Sequence, residues 1–238
     1  MKTVNIINTN ILFSLVLLVV SCGVQQKTAN KYDLYVVSNI KSYNKLATEN
    51  PDKEFVDIEK HIPGINLDIR YATKNNFTGQ QIYESPKAYI RKPVADALLI
   101  IQDELNNKGL AIKIYDAYRP YSATVKFYEV YPDKNFVASP KTGSVHNRGC
   151  AVDLSLINIK TGKELEMPTL FDDFTEKASH SYMDLPAKAI ENRKLLKDIM
   201  TKYGFIIYEA EWWHYSYKDW KEFEIMDISF EELKQKGN

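Results

Sequence analysis

The sequence has little net charge, little cysteine and no internal repetition, and each lack excludes a class of protein. Lysine plus arginine and aspartate plus glutamate number 31 each, a formal net charge of +0, so there is no electrostatic basis for nucleic-acid binding. The chain has only two cysteines, so its fold cannot depend on a network of disulfides. A chain of 238 residues is long enough to bury a hydrophobic core without them. No segment repeats at a period of about 20–50 residues, which excludes a solenoid. The remaining composition, 45% hydrophobic and 26% charged, is typical of one globular domain of moderate size.

The N-terminus carries an apolar run that suits export. Residues 11–20 follow a single charge at Lys2 and are too few to cross a bilayer as a helix. The run ends in Val19-Val20-Ser21-Cys22-Gly23, which resembles a bacterial lipobox, in which the cysteine is lipid-modified and becomes the new N-terminus. The alternative is an ordinary signal peptide with a chance cysteine. We predict a lipoprotein-type signal peptide over residues 1–21.

Two further expectations follow from the lipobox. Residues 22–54 would form a lipid-anchored tether and a loosely packed lead-in, and the protein would be an exported, membrane-anchored lipoprotein facing the periplasm or the cell exterior. With Cys22 lipidated, Cys150 has no disulfide partner. We expect Cys150 to be a small buried thiol, and we predict no nucleic-acid partner and no obligate protein partner.

Residues 55–238 show helical and strand patterns in an irregular order. Apolar stripes bounded by proline or glycine predict helices, and alternation predicts strands. The predicted helices are 94–105, 122–130 and a segment after Pro186 that stops at Gly204; the predicted strands are 65–69, 110–116, 151–156, 205–208 and 213–217. Without a regular βαβ rhythm, the class is α+β: a single compact domain with a central, mostly antiparallel sheet flanked by helices. We expect residues 218–236 to form a solvated amphipathic tail.

The first candidate site cluster is Ser144-Val145-His146-Asn147-Arg148-Gly149-Cys150-Ala151-Val152-Asp153. His146 and Asp153 are seven residues apart, which on an uninterrupted strand places them on opposite faces. They can share a site only if the chain bends, and Gly149 permits a bend. An aspartate within a strand needs a partner because an unpaired buried charge is costly, and a metal would supply one. The alternative is a turn with a surface histidine.

The second cluster is Glu211-Trp212-Trp213-His214. Glutamate and histidine three apart share a face in a helical turn or across a bulge. Catalytic zinc keeps three protein ligands and one open position, and His146, Asp153 and His214 make such a set. Glu211 then remains as general base toward a water whose pKa the metal lowers to about 7. The alternative is a tryptophan-rich core strand with an incidental ion pair.

The third cluster, Asp116-Ala117-Tyr118-Arg119-Pro120, stands at the exit of a predicted strand. Amide hydrolysis develops negative charge on oxygen, which a fixed guanidinium such as that of Arg119 stabilises. The alternative is a surface arginine in a loop. Of the other histidines, His61 is expected on the surface or in a loop. His180 is close to the expected substrate loop and could line the pocket, but it is not expected to be a ligand.

Together these segments resemble the D-alanyl-D-alanine dipeptidases of the vancomycin-resistance type. The matching motifs are S-x-H-x-x-G-x-A-x-D at Ser144–Asp153, E-x-x-H at Glu211–His214, D-x-Y-R-P at Asp116–Pro120, and a segment at Leu67–Gly79 that resembles the stretch separating these dipeptidases from related carboxypeptidases. The resemblance implies one zinc ion at the sheet on His146, Asp153 and His214, with Glu211 as base and Arg119 as transition-state stabiliser.

The resemblance also implies a small D,D-dipeptide substrate and the residues that bind it. Ser144 would hydrogen-bond the dipeptide carboxylate, while Tyr71 and Asp172 would hold its free ammonium. Asp172 is preferred over Asp173 because it directly follows the aromatic residue Phe171, as in the family. The preceding Met167-Pro168-Thr169-Leu170 departs from the glycine-containing stretch expected there.

Three rival functions are considered. A zinc D,D- or L,D-carboxypeptidase trimming peptidoglycan would share the zinc set, but the segment from Tyr71 to Gly79 favours a closed pocket for short peptides. A lipoprotein that binds wall peptides without cleaving them would not need His146, Asp153, Glu211 and His214 together. Short motifs typical of penicillin-binding serine enzymes occur at Ser38–Lys41, Ser42–Asn44 and Lys141–Gly143, but the third recurs at Lys160–Gly162, so they carry little weight.

Overall fold

The computed structural model describes Met1 and residues 31–236. The predicted signal peptide and the lipobox at Cys22 lie outside the described residues. Among the residues described, no helix has the length and apolar character needed to span a bilayer.

The segment before Phe55 is packed rather than loose. Helix α1 spans Ile40–Glu49 and begins where the Asn39 side chain accepts a hydrogen bond from the Ser42 N–H at 2.9 Å. Tyr43 and Ala47, four residues apart, face the core together, and the Tyr43 hydroxyl accepts a hydrogen bond from the Phe55 N–H at 2.8 Å. The prediction of a loosely packed lead-in as far as residue 54 is therefore wrong for the residues from Val36 onward.

Two sheets organise the described residues. Strand β1 (Phe55–Asp57) runs into the short helix α2 (Ile58–His61), strand β2 spans Asn66–Leu67, and strand β3 (Tyr89–Arg91) pairs antiparallel with β1. Within the described ranges, a five-stranded sheet has the order β2-β4-β5-β7-β6. Its other strands are β4 (Leu110–Asp116), β5 (Ala151–Asn158), β6 (Phe205–Tyr208) and β7 (Glu211–Tyr217). Only the β2–β4 pairing in it is parallel.

Helices flank this central sheet. They are α3 (Lys92–Asn106), α4 (Tyr121–Val130), α5 (Ala187–Lys202) and α6 (Phe230–Lys236). The predicted stripe on α3 is confirmed, since Val94, Leu98, Ile101 and Leu105 are fully buried. The prediction of an α+β fold with a mostly antiparallel central sheet is likewise confirmed. The predicted strand at 65–69 is reduced to β2, because the chain turns into a 3-10 helix at Arg70–Ala72.

The C-terminal segment is part of the core. Its buried apolar residues are Phe223, Ile225, Met226, Ile228, Phe230 and Leu233. The Tyr118 hydroxyl donates to the Ile228 carbonyl at 3.0 Å and accepts from the Ile228 N–H at 2.9 Å. The prediction of a solvated tail over residues 218–236 is wrong, because these apolar residues pack into the core, four of them in irregular chain between the 3-10 turn at Trp220–Glu222 and α6.

Candidate metal centre

Neighbouring strands of the central sheet bring three site residues side by side. Asp153 on β5 pairs with His214 on β7 and, after a register shift, with Asp116 on β4. The neighbours of Asp153 in sequence, Val152 and Leu154, are fully buried in the core, so the carboxylate lies on the opposite face, as the alternation predicts. The middle of the sheet therefore presents two carboxylates and an imidazole in a row.

His146 reaches this face because the chain bends before β5. Residues His146–Arg148 form a 3-10 turn that ends at Gly149, whose φ of 68° lies in the left-handed region. A Cβ at Gly149 would lie 2.2 Å from Cε1 of Phe55, so the bend requires glycine for space as well as for conformation. The predicted bend is confirmed.

The three predicted ligands converge on one point. The His146 Nε2, Asp153 Oδ1 and His214 Nδ1 atoms lie 3.0 to 3.3 Å from one another. Tetrahedral zinc with ligands at about 2.0–2.1 Å holds its ligand atoms about 3.3 Å apart, so the donor set fits that ion in both chemistry and spacing. In the part of the chain described, His146, Asp153 and His214 form the one cluster of potential metal-binding side chains whose ligand atoms lie close enough to share an ion.

Each imidazole is oriented by a second contact. The His146 Nδ1–H donates to the Ala117 carbonyl at 2.7 Å, which leaves Nε2 as the lone pair facing the site. The His214 Nε2 lies 3.1 Å from Ser216 Oγ, so its Nδ1 faces inward. Such outer contacts fix the tautomer and ring orientation of metal-binding histidines. Burial raises the pKa of Asp153, but the two imidazoles outweigh it and hold that pKa well below its usual range.

Glu211 enters the site at a bulge. The register between β6 and β7 shifts where Tyr208 pairs with Glu211, which lets Glu211 and His214 share a face although they are three residues apart. The Glu211 Oε2 lies 3.9 Å from His214 Nδ1. Its side chain is buried, and burial together with the charges of Asp153 and Asp172 raises the pKa of Glu211 well above its ordinary value.

Arg119 is held on the other side of the ligands. Its Nε and Nη2 donate to Asp116 Oδ2 at 3.0 and 2.7 Å, and Nη2 is 3.8 Å from Asp153 Oδ2. The Tyr83 hydroxyl donates to the other Asp116 oxygen at 2.8 Å. Burial would lower the pKa of Arg119, but the Asp116 carboxylate raises it, so the guanidinium stays charged. Tyr83 was not predicted as a site residue, because it lies outside every motif in the sequence.

A cavity of about 280 Å³ opens onto these residues. Tyr71, Ser144 and Asp172 line it together with Arg119 and Glu211, so the structure brings all the predicted site residues to one cavity. The Tyr71 hydroxyl donates to Asp172 Oδ1 at 3.0 Å. Among the described residues the buried Asp172 Oδ2 has no hydrogen-bond partner. Burial and the charge of Asp153 raise the pKa of Asp172 to about 8.

Aromatic residues form part of the cavity lining. Phe136, in the connection after α4, stacks on Phe174 with ring centroids 4.9 Å apart, and the Tyr208 hydroxyl donates to the Asn135 carbonyl at 2.7 Å. Phe136, Phe174, Tyr208 and Asn135 all line the cavity. The loop at 131–138 is thereby attached to Phe174 and to Tyr208 at the end of β6.

The other histidines lie outside the cavity. His61 Nε2 lies 2.9 Å from Asp96 Oδ1, on α3. His180 is 8% exposed and is not among the cavity-lining residues. Cys150 is a buried free thiol, as expected, and burial raises its pKa to about 12.

Comparison with known proteins gives consistent matches. Residues 51–233 match the family model described as D-ala-D-ala dipeptidase. The chain is 35% identical over 162 residues to the D-alanyl-D-alanine dipeptidase of Escherichia coli K12, covering 68% of this chain and 83% of that protein. It is 30% identical over 188 residues to the D-alanyl-D-alanine dipeptidase of Enterococcus faecium, covering 69% of this chain and 92% of that protein.

Solved structures give weaker matches. One is an L,D-carboxypeptidase described for its peptidoglycan recognition, with a TM-score of 0.39 and 24% identity, covering 77% of this chain and 78% of that one. Another is a vancomycin-resistance D,D-dipeptidase in complex with a phosphinate analogue of D-Ala-D-Ala, with a TM-score of 0.34 and 18% identity, covering 76% of this chain and 74% of that one.

Proposed function

Because the chain belongs to the D-alanyl-D-alanine dipeptidase family, we propose that it is a zinc-dependent hydrolase that cleaves D-alanyl-D-alanine and similar small dipeptides in cell-wall peptide metabolism. The observation that carries the proposal is the convergence of His146 Nε2, Asp153 Oδ1 and His214 Nδ1 in the cavity that Glu211 and Arg119 line. One zinc ion per chain would be held by these three atoms. When bound, zinc in such sites acidifies water and polarises the carbonyl that is attacked.

The chain's own residues then divide the work of hydrolysis. Glu211 is the general base: it takes a proton from the attacking water and returns it to the nitrogen of the leaving amino acid as the C–N bond breaks. Arg119, fixed by Asp116 at 2.7 Å, stabilises the negative charge that develops on the carbonyl oxygen. The products are two free amino acids.

The two ends of the dipeptide find opposite charges or donors in the cavity. Asp172 Oδ2, buried and unpartnered within the described residues, is placed to accept a hydrogen bond from the substrate ammonium beside Tyr71. A cation there would favour the charged form of a carboxyl whose pKa burial raises to about 8. The Ser144 Oγ accepts a hydrogen bond from the His146 N–H at 3.2 Å, so its own proton is available to the substrate carboxylate.

Hydrolysis assays on three substrates test the proposal. The purified protein should cleave D-Ala-D-Ala, and it should cleave L-Ala-L-Ala and N-acetyl-D-Ala-D-Ala far more slowly. Rapid cleavage of the N-acetylated substrate would favour a carboxypeptidase, since its blocked nitrogen cannot pair with Asp172. Binding without turnover of any substrate would favour a wall-peptide-binding protein.

Metal dependence is tested on the same preparation. Chelation should abolish turnover and added zinc should restore it. His146→Ala should lower the zinc content, while His61→Ala, a histidine outside the cavity, should keep it. Full zinc occupancy in His146→Ala would contradict the ligand set.

We also propose that the chain is exported and anchored to a membrane through lipid on Cys22. The support is the apolar run at residues 11–20 followed by the lipobox-like Val19-Val20-Ser21-Cys22, and acyl chains would provide the attachment. Cys22→Ser should move the protein from the membrane fraction to the soluble fraction. Cys150→Ser is the matched control and should leave it in the membrane fraction; unchanged fractionation of Cys22→Ser would contradict the anchor.

A further inference from the structure

Asn147 is a buried amide that joins several parts of the site. The residue directly follows His146 and has 0% exposure. Its Nδ2 donates to the Arg119 carbonyl at 2.9 Å and to Thr124 Oγ1 at 2.8 Å. Its Oδ1 accepts from the Ser144 N–H at 2.7 Å. One side chain therefore touches the backbone of Arg119, the backbone of Ser144 and helix α4.

The backbone of Arg119 is held at both of its polar groups. The Arg119 N–H donates to the His146 carbonyl at 3.1 Å, and the Arg119 carbonyl accepts from the Asn147 side chain. The segment that carries the guanidinium is thus fixed to the turn that carries the metal ligand His146. Asp116 fixes the guanidinium of Arg119, whereas Asn147 fixes its backbone carbonyl.

Ser144 is held by both the side chain and the backbone of Asn147. In addition to the Ser144 N–H bond to Oδ1, the Asn147 N–H donates to the Ser144 carbonyl at 3.1 Å. The preceding Gly143 has a φ of 69°, and a Cβ added there would lie 3.3 Å from Asn147 Oδ1. The Asn147 carbonyl accepts from the Met226 N–H at 2.9 Å, which ties this turn to the C-terminal segment.

We propose that Asn147 is a positioning residue that holds Arg119 and Ser144 at fixed places relative to the metal ligand His146. Through Arg119 it sets where the developing oxyanion is stabilised, and through Ser144 it sets where the substrate carboxylate is bound. The inference deepens the proposed dipeptidase function and rests on it. Displacement of a catalytic group by about 1 Å can cost about 100-fold in rate, so a residue that touches no substrate can still control turnover.

Two substitutions of Asn147 separate its links. In Asn147→Asp, one carboxylate oxygen can still accept the hydrogen bond from the Ser144 N–H. The other can accept a hydrogen bond from the Thr124 hydroxyl, which can rotate to donate. Only the Arg119 carbonyl loses its donor. This variant should lower kcat by about 10–100-fold with little change in KM. Asn147→Ala removes the Ser144 link as well and should also raise KM. Zinc content should stay at the native level in both, because the three ligands are untouched.

Asn192→Ala is the matched control for loss of a buried asparagine. Asn192 is 4% exposed and donates to the Glu166 carbonyl at 2.8 Å, outside the cavity lining. It should lower the melting temperature and leave kcat and KM unchanged. Native kcat in a folded, zinc-replete Asn147→Asp would overturn the positioning role, and so would a rate loss fully accounted for by lost zinc.

Two further measurements cover other outcomes. If the Asn147 variants fail to fold, Thr124→Val keeps the volume and removes one acceptor of the amide; it should lower kcat several-fold with zinc unchanged, and a native kcat would overturn the inference.

If the native protein does not hydrolyse dipeptides, the proposed function fails. Hydrogen exchange of the Ser144 amide then tests positioning alone: Asn147→Ala should speed it and Asn147→Asp should not, and equal exchange in all three proteins would overturn it.

Discussion

At the scale of single residues, burial forces the site to balance its charges internally. Asp116, Asp153 and Glu211 are 0%, 3% and 6% exposed, and Arg119 is the guanidinium placed among them. Removing an ion from water costs several kcal/mol even after relaxation. A divalent cation on His146, Asp153 and His214 would offset the excess of buried negative charge. The same ion that supplies the chemistry would therefore also stabilise the native state.

Replacement of Glu211 by glutamine tests the base directly. Glu211→Gln keeps the shape of the side chain and removes its ability to take a proton. We expect kcat to fall by at least about 100-fold with zinc content retained, measured by dipeptide hydrolysis and elemental analysis. Glu209→Gln, two residues earlier and exposed, should retain native kcat. Near-native activity of Glu211→Gln would reject the assignment.

Replacement of Asp172 by asparagine tests the ammonium contact. Asp172 has a φ of 63°, which asparagine also tolerates, so the backbone should keep its conformation. Loss of a hydrogen bond to a charged group, about 1.5–3 kcal/mol, should lower kcat/KM for D-Ala-D-Ala about 10–100-fold, mostly by raising KM. Asp173→Asn is the control and should behave as the native protein does; an unchanged KM in Asp172→Asn would reject the contact.

The candidate ligand residues could be selected from the sequence because their chemistry is distinctive. His146 and His214 are two of only four histidines, and each stands in a motif with an acid at a fixed spacing. Tyr83 could not be identified in this way, since it is one of 16 tyrosines and becomes part of the site only through its hydrogen bond to Asp116. Contacts made across the fold leave no local pattern.

At the scale of elements, the bend at Gly149 decides whether His146 and Asp153 meet. The odd spacing of the two residues predicts the bend, because a straight strand would separate them. The sequence did not reveal that Phe55 packs against Gly149 with no room for a Cβ. Phe55 stands at the start of the predicted folded domain, and its neighbours in sequence carry no pattern that links it to Gly149.

Gly149→Ala should therefore be costly. Strain at positive φ and the clash with Phe55 should together lower the free energy of unfolding by about 2–4 kcal/mol, measured by urea denaturation, and should weaken zinc binding. Gly162→Ala is the matched control: its φ is 67°, with nothing within 4 Å of the added Cβ. It should show the strain alone. Equal destabilisation by the two changes would mean that Phe55 moves aside freely.

Regular elements were more predictable than irregular ones. Helix α3 and strands β4 and β5 carry apolar spacings that match their geometry. Residues 218–236 also carry apolar side chains, but those at 223–228 lie in irregular chain bonded to Tyr118 and Asn147. These residues are buried against partners more than 70 residues away in sequence. The spacing of apolar residues within the segment therefore predicted, wrongly, a solvent-exposed tail.

At the scale of the whole molecule, one buried histidine should make stability depend on pH. His180 is 8% exposed, and in the described part of the chain neither ring nitrogen has a hydrogen-bond partner. Burial, with a smaller contribution from Lys197, lowers the pKa of His180 from its usual 6.5 to about 4. Between these values the unfolded chain binds a proton that the native protein does not, so stability falls as the pH drops from about 6.5 to about 4.

His180→Phe should remove this dependence without losing a hydrogen bond. We expect the native protein to lose on the order of 1–2 kcal/mol more stability than His180→Phe between about pH 6.5 and 4.5, measured by urea denaturation at each pH. Parallel pH profiles for the two proteins would show that His180 does not titrate in this range.

The sequestered sulfur of Cys150 gives the molecule a built-in reporter of its own opening. Thiolates, not thiols, react with disulfide reagents, and burial both shields this thiol and raises its pKa to about 12. Labelling at neutral pH therefore has to wait for a molecule to unfold around β5. In an oxidising compartment, the same seclusion would keep neighbouring molecules from becoming cross-linked through Cys150.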